Sequence, residues 1–183
     1  NKIFNVTDLG LSRFGKTQNG KGMGITMRRK DREVRETERI IQIIDACDTC
    51  RLGLTDGTDA YVVPLSFGYR FQNNRLALYF HCAGEGKKLE MLRNGRKAAF
   101  EMDRSPGMRS LPGGHYTMDY QSVCGHGIPV FLEKREEKEE ALRILLAHYS
   151  SDVMTDYPEA VYEQTCVFRL DVTEMTGKEN MKK

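Results

Sequence analysis

The spacing of apolar positions changes several times along the chain, and each change marks an element. From Thr37 onward, Ile40, Ile41, Ile43, Ile44 and Cys47 recur at helical spacing, which predicts an amphipathic helix with Thr37 as its cap. Period two then takes over. Cys50-Arg51-Leu52-Gly53-Leu54-Thr55 alternates as a strand and stops at Asp56-Gly57, a hairpin signal. Ala60 to Tyr69 predicts a second strand, in which Pro64 lacks a ladder donor and argues for a sheet edge or a bulge. Asn73-Asn74 is a turn. Leu76 to His81 is a third strand, running through Cys82-Ala83-Gly84-Glu85-Gly86 into a short helix from Lys87 to Arg93 that Asn94-Gly95 closes.

Lys97 to Asp103 predicts a fourth strand, and the prolines and glycines of Ser105 to Gly114 predict a loop. Tyr116 to Glu133 reads as one bent strand or a glycine-broken pair. From Glu133 to Tyr149 a helix sets Ala141, Leu142, Leu145, Leu146 and Tyr149 on one face and Lys134, Glu137, Lys138 and Glu140 on the other, solvated, face. Gln164 to Val172 is the last strand. About six strands in hairpin order with three helices predict a mostly antiparallel α+β barrel. The strand–helix alternation of a dinucleotide fold is absent. Asn1 to about Gly24 has no sustained periodicity and is expected to be an extension, weakly ordered or foreign to the natural chain, with Met23 or Met27 as candidate natural starts.

Composition narrows the function classes. At 183 residues the chain suits one domain. A net charge of +2, with acidic and basic residues interspersed, argues against a nucleic-acid partner. The chain lacks an apolar run of membrane-span length and an apolar signal-peptide core, so no membrane is expected. Five cysteines, an odd number, argue for reduced thiols and a cytoplasmic location.

The residues around Gly84 and Gly86 carry the most specific chemistry. A strand ends there in a glycine-spaced turn and opens into a helix headed by Lys87 and Lys88. Freed backbone N–H groups, the positive end of a helix and two ammonium groups suit a dianion such as phosphate. The alternative is an ordinary strand-to-helix turn with solvated lysines. His81 reaches the same neighbourhood as a catalytic or a structural histidine. Around Pro64, free backbone groups can meet the polar rim of a flat heterocycle, or belong to an edge strand entering a turn. Cys47-Asp48-Thr49-Cys50 has zinc or redox spacing, but no second pair completes a tetrahedral set. Cys47 lies on the helix stripe, so these read as structural cysteines and no metal site is expected. His115 and Tyr116 can overhang a ligand from the loop. Gly125 and Gly127, in Ser122-Val123-Cys124-Gly125-His126-Gly127, suggest a bulge or the close approach of a ligand or a partner subunit.

Read in order, Met27 to Val34, Cys50 to Leu54, Tyr61-Val62-Val63-Pro64-Leu65-Ser66-Phe67-Gly68-Tyr69, Leu78 to Ala83 with Gly86-Lys87-Lys88, Ser122 to Gly127 and Val167 to Val172 resemble the nitroimidazole-resistance proteins. These belong to the flavin-binding split-barrel superfamily that includes pyridoxamine 5′-phosphate oxidase. The resemblance covers about Met27 to Gly177 and implies a split-barrel domain over residues 27–183, preceded by an extension over residues 1–26. It implies a six-stranded split barrel with flanking helices, a homodimer, and FMN in a groove between the subunits. The flavin phosphate is expected at Phe80, His81, Cys82, Gly84 and Lys87, with Lys87 as its ion-pair partner and Cys82 where relatives often carry serine. Pro64, Leu65, Ser66 and Phe67 are expected to line the isoalloxazine edge through their backbone, and Ser122 and Cys124 to approach it. His81 is the candidate catalytic residue. The implied activity is FMN-dependent reduction of a small electron acceptor such as a nitroimidazole. A non-catalytic flavin carrier or sensor, and a haem-binding barrel with His81 or His115 as axial ligand, stay open as alternatives.

Overall fold

The computed structural model describes residues 28–94, 97–153 and 156–181. The extension read over residues 1–26, Met27 and the helix-closing Gly95 lie outside them. After a 3-10 turn at Lys30–Arg32, the described residues form β1 (Glu33–Val34), α1 (Thr37–Asp45), β2 (Cys50–Thr55), β3 (Ala60–Leu65), β4 (Gly68–Gln72), β5 (Arg75–Ala83), α2 (Lys87–Asn94), β6 (Ala98–Leu111), β7 (His115–Leu132), α3 (Arg135–Tyr149), α4 (Glu159–Gln164) and β8 (Thr165–Asn180).

Every pairing is antiparallel, in the order β3-β2-β6-β7-β8-β5-β4, with β1 added to β8. The two end strands, β3 and β4, are joined only by Ser66-Phe67. Three Cα steps reach about 11 Å at most, so the sheet must roll until its edges nearly meet. The edges share no ladder among the described residues. The result is a split barrel, as expected, within an α+β fold.

Alternation decides which side chains fill it. Leu52, Leu54, Leu78, Phe80, Phe100, Met102, Val123, Phe168 and Leu170 point inward and are buried, with Ile40, Ile43 and Ile44 of α1 and Leu89 and Leu92 of α2 packed onto them. Each such side chain removed from water contributes about 1.5–3 kcal/mol. A second cluster lies outside the barrel, where α3 and α4 bring Ala141, Leu142 and Tyr162 onto Tyr79, Leu132 and Val167.

Several expectations need correction. The six strands become eight, because Ser66-Phe67 divides the second expected strand and because Glu33–Val34 pairs with the far end of β8. The expected loop from Ser105 is largely strand. β6 continues to Leu111 through a register shift between Arg104 and Gly107, where Pro106 needs no ladder donor. Pro112-Gly113-Gly114 then makes the turn, with both glycines at positive φ. Thr37 is not the cap of α1; Glu36 precedes the helix and no side chain caps it. β8 runs eight residues past Val172, to Asn180, because β7 offers it a partner along that length. The short α4 had no sequence signal. Tyr116 to Glu133 is one bent strand: the register shifts at His126/Gly127, and a Cβ on Gly125 would lie 2.3 Å from the Glu174 carbonyl oxygen. The bulge read from those glycines is present, and the close approach at Gly125 is by the chain's own β8.

Candidate functional site

β5 delivers the glycine turn. Its inward residues end with Cys82, while His81 faces outward and is exposed. Gly86, at φ +114°, accepts hydrogen bonds from Leu89 N–H (2.9 Å) and Glu90 N–H (3.2 Å), so it starts α2. The first N–H groups of a helix have no carbonyl within it to meet. A Cβ on Gly86 would touch nothing within 4 Å, and one on Gly84 would approach only the Gln164 carbonyl oxygen, at 3.7 Å. The turn is therefore open on its outer side. Lys87 Nζ stands 3.9 Å from Asp59 Oδ2 and 5.6 Å from the centre of the Tyr61 ring. Both partners of that ion pair are more than half exposed, so the pairing is weak and the ammonium is available to a stronger anion. Surrounding protein, and secondarily Lys88, push the His81 imidazole below its ordinary pKa, so it is neutral near pH 7.

Phe80 is fully buried and stacked on Phe168, with ring centres 5.1 Å apart, so only its backbone can reach a ligand. Cys82 is buried too, directly opposite Cys166 on β8.

The Pro64 segment lies on the sheet edge, as its proline suggested. Pairing sets Pro64 beside Arg51, Arg51 beside Glu101 and Glu101 beside Cys124, one row across the outer face of β3, β2, β6 and β7. Arg51 donates hydrogen bonds to Glu101 (3.0 Å) and Asp103 (2.6 Å). Ser122 sits opposite Asp103 and Lys178. The Phe67 N–H is already used: it donates to Tyr149 Oη at 2.8 Å, and that hydroxyl donates to the Asp48 carbonyl at 2.9 Å. The Phe67 ring packs on His148, at 4.5 Å between centres.

The expected residues thus fall into two groups. His81, Cys82, Gly84 and Lys87 gather where β5 meets α2; Pro64, Ser122 and Cys124 lie on the outer β3–β7 face, with Leu65 turned toward the core and Ser66 in the link to β4. Along β8, His81 pairs with Val167 and Cys124 with Thr176, nine residues or roughly 30 Å of strand apart. His115 and Tyr116 stand exposed at the tip of the β6–β7 hairpin. Cys47 and Cys50 are buried, burial pushing the Cys47 thiol up to about 11 and Cys50 higher still; no metal-ligand cluster occurs among the described residues. Sequence reasoning missed Tyr149 as a brace of the Pro64–Phe67 segment and Cys166 as the partner of Cys82. Both depend on strand register and helix docking, which no local spacing encodes.

The profile of the family described as pyridoxamine 5′-phosphate oxidase matches residues 36–179. A proposed 5-nitroimidazole antibiotic resistance protein from Bacteroides thetaiotaomicron is 34% identical, with 80% of this chain and 86% of that one aligned and a TM-score of 0.70. The flavocytochrome Anf3 from Azotobacter vinelandii (17% identity, 86% and 73% covered, TM-score 0.72) shares the fold. So does a FAD and heme binding protein from Mycobacterium smegmatis (14% identity, 82% and 74% covered, TM-score 0.69). No curated protein matches the chain. The matched span holds every strand of the barrel from β2 to β7, the glycine turn and α2, and on that span the chain belongs to the pyridoxamine 5′-phosphate oxidase family, alongside the nitroimidazole-resistance proteins.

Proposed function

We propose that this chain binds FMN as a homodimer and reduces small electron acceptors such as nitroimidazoles. The observation that carries the reading is the open glycine turn that starts α2 with Lys87 at its head, in a chain 34% identical to a proposed nitroimidazole-resistance protein. The donors there fit a terminal phosphate: helix N–H groups without partners, two lysines, and glycines that let a ligand approach the backbone. Lys87 and Lys88 offset the phosphate charge. The free edge of β3 around Pro64, Leu65 and Ser66 orients the ring system. Ser122 and Cys124 lie far along β8 from the turn, so they reach the same ligand when a second copy supplies them. His81, neutral near pH 7, holds one proton at its ring and can give or take a hydrogen bond at the ligand's edge. When bound, the flavin supplies one- or two-electron transfer. Three of the five cysteines are buried and none of the five is bridged, which accords with a reducing, cytoplasmic setting.

The test uses the purified full chain with added FMN. Expected are flavin absorbance that stays with the protein, one FMN per chain, and reoxidation of the chemically reduced bound flavin by a nitroimidazole with an amine as product. Bound flavin inert to every nitroaromatic tried would make the protein a carrier or sensor. A Soret band in place of flavin absorbance would make it a haem protein, against the exposure of both His81 and His115.

A further inference from the structure

Two cysteines far apart in sequence meet inside the barrel mouth. Cys82 and Cys166 are direct partners in the β5–β8 ladder, two residues beyond the Phe80–Phe168 pair. Direct partners share a face, and this is the face on which Phe80 and Phe168 stack. Opposed Cα atoms in an antiparallel pair are about 4.5 or 5.5 Å apart, and disulfides span about 4.4–6.8 Å between Cα atoms. Side chains of directly opposed residues on paired strands already lie side by side, so no strand has to move far for a bond to form. Cys166 is half-buried and gives access from the mouth, while Cys82 lies just beneath.

We propose that Cys82 and Cys166 form a reversible redox pair, which a peroxide converts to a cross-strand disulfide. The Cys82 thiolate attacks a peroxide oxygen. An S–O bond forms, the O–O bond breaks, and with one proton from solvent the products are the Cys82 sulfenic acid and an alcohol or water. The Cys166 sulfur then attacks the Cys82 sulfur: the S–S bond forms, the S–O bond breaks, and water leaves with the thiol proton. Two electrons pass from the thiols to the peroxide, and an external dithiol reverses the change.

The surroundings divide the roles. Cys166 opposite it, helped by Lys88 and Arg93, holds the Cys82 thiol below its ordinary value against the effect of burial. The neighbouring Cys82, and burial, raise the Cys166 thiol, which suits it to the resolving step. Among the other three cysteines, burial raises Cys47, Cys50 and Cys124 alike.

The test treats the reduced full chain with a few equivalents of hydrogen peroxide, alkylates free thiols after denaturation and maps peptides by mass spectrometry. The expected result is a Cys82–Cys166 disulfide that dithiothreitol removes, with Cys47, Cys50 and Cys124 still alkylated. In Cys166→Ser, checked for fold by circular dichroism, Cys82 should instead be trapped by dimedone as the sulfenic acid. Oxidation of Cys124 ahead of Cys82, or Cys82 passing to sulfinic acid in the unsubstituted chain without a disulfide, would overturn the proposal, and that measurement stands even if the variant fails to fold.

Discussion

Lys87 and Tyr149 are both polar ends of side chains that sequence reading noticed, yet only one was legible as a functional group. The lysine was visible because its meaning is local: glycines before it and a helix after it. Its one ion pair among the described residues, with exposed Asp59, is worth at most about 1 kcal/mol, so Lys87→Ala should leave stability nearly unchanged. Removing a charge-assisted contact to phosphate costs about 1.5–3 kcal/mol, so FMN titration should show roughly ten- to a hundred-fold weaker binding. An unchanged affinity would move the phosphate to another part of the barrel. Tyr149 was read as one more member of an apolar helix face. Its hydroxyl partners, Phe67 and Asp48, stand 82 and 101 residues away in sequence, so no pattern near position 149 could announce them. Tyr149→Phe leaves the N–H of buried Phe67 without its acceptor, at a cost of roughly 1–3 kcal/mol. A urea midpoint shifted to match, at unchanged slope, is the expected result, because the substitution keeps the ring and removes only the bridge.

Among the elements, those with a strong internal period were legible and those shaped by a neighbour were not. The α1 stripe of Ile40, Ile43 and Ile44, the alternation of β2 and the apolar face of α3 come from side chains alone. The continuation of β6 past Ser105 does not, because Pro106 and Gly107 look like breakers until β7 lies alongside and the bulge absorbs the proline. The placement of α3 has the same character. Gly68 opens β4 directly beneath that helix, and a Cβ there would fall 2.4 Å from the Leu145 Cα and 2.5 Å from the Ile144 carbonyl oxygen. Both atoms are backbone, so the clash can be relieved only by moving the helix. Gly68→Ala should therefore cost the upper part of the roughly 1–3 kcal/mol range for overpacking, and should also disturb the Tyr149 bridge that the same helix carries. Gly53→Ala is the control, since its added methyl would meet only the Ala99 Cβ, at an ordinary 3.4 Å. Thermal unfolding of the two variants side by side should separate them by several degrees.

At the scale of the molecule, the β6–β7 hairpin is the part a single barrel does not explain. Among the described residues, the two strands pair only with each other from Gly107 to Leu111 and His115 to Asp119, and the arm projects from the sheet. Ladder partners and alternation put Met108, Met118 and Tyr116 on one of its faces, 65%, 48% and 67% exposed, while the other face carries the Arg109–Asp119 ion pair. Three large apolar side chains in one exposed stripe are costly to leave in water and mark a surface to be covered. In the proposed homodimer a second copy of the chain would cover this stripe and also answer the split site, since Ser122 and Cys124 continue along β7 from the base of the arm and lie far along β8 from the glycine turn they were expected to join. A charged residue at the centre of such a stripe should oppose association while leaving the barrel core, which Met118 does not enter, intact. The Met118→Glu chain is expected to sediment as a monomer at concentrations where the unsubstituted chain is a dimer, with the same far-ultraviolet circular dichroism. Flavin affinity should fall with it, because a monomer keeps Lys87 and the glycine turn but loses the partner's β7 face. A monomer that binds FMN as tightly as the dimer would place the whole flavin site within one chain and leave the arm to some other contact.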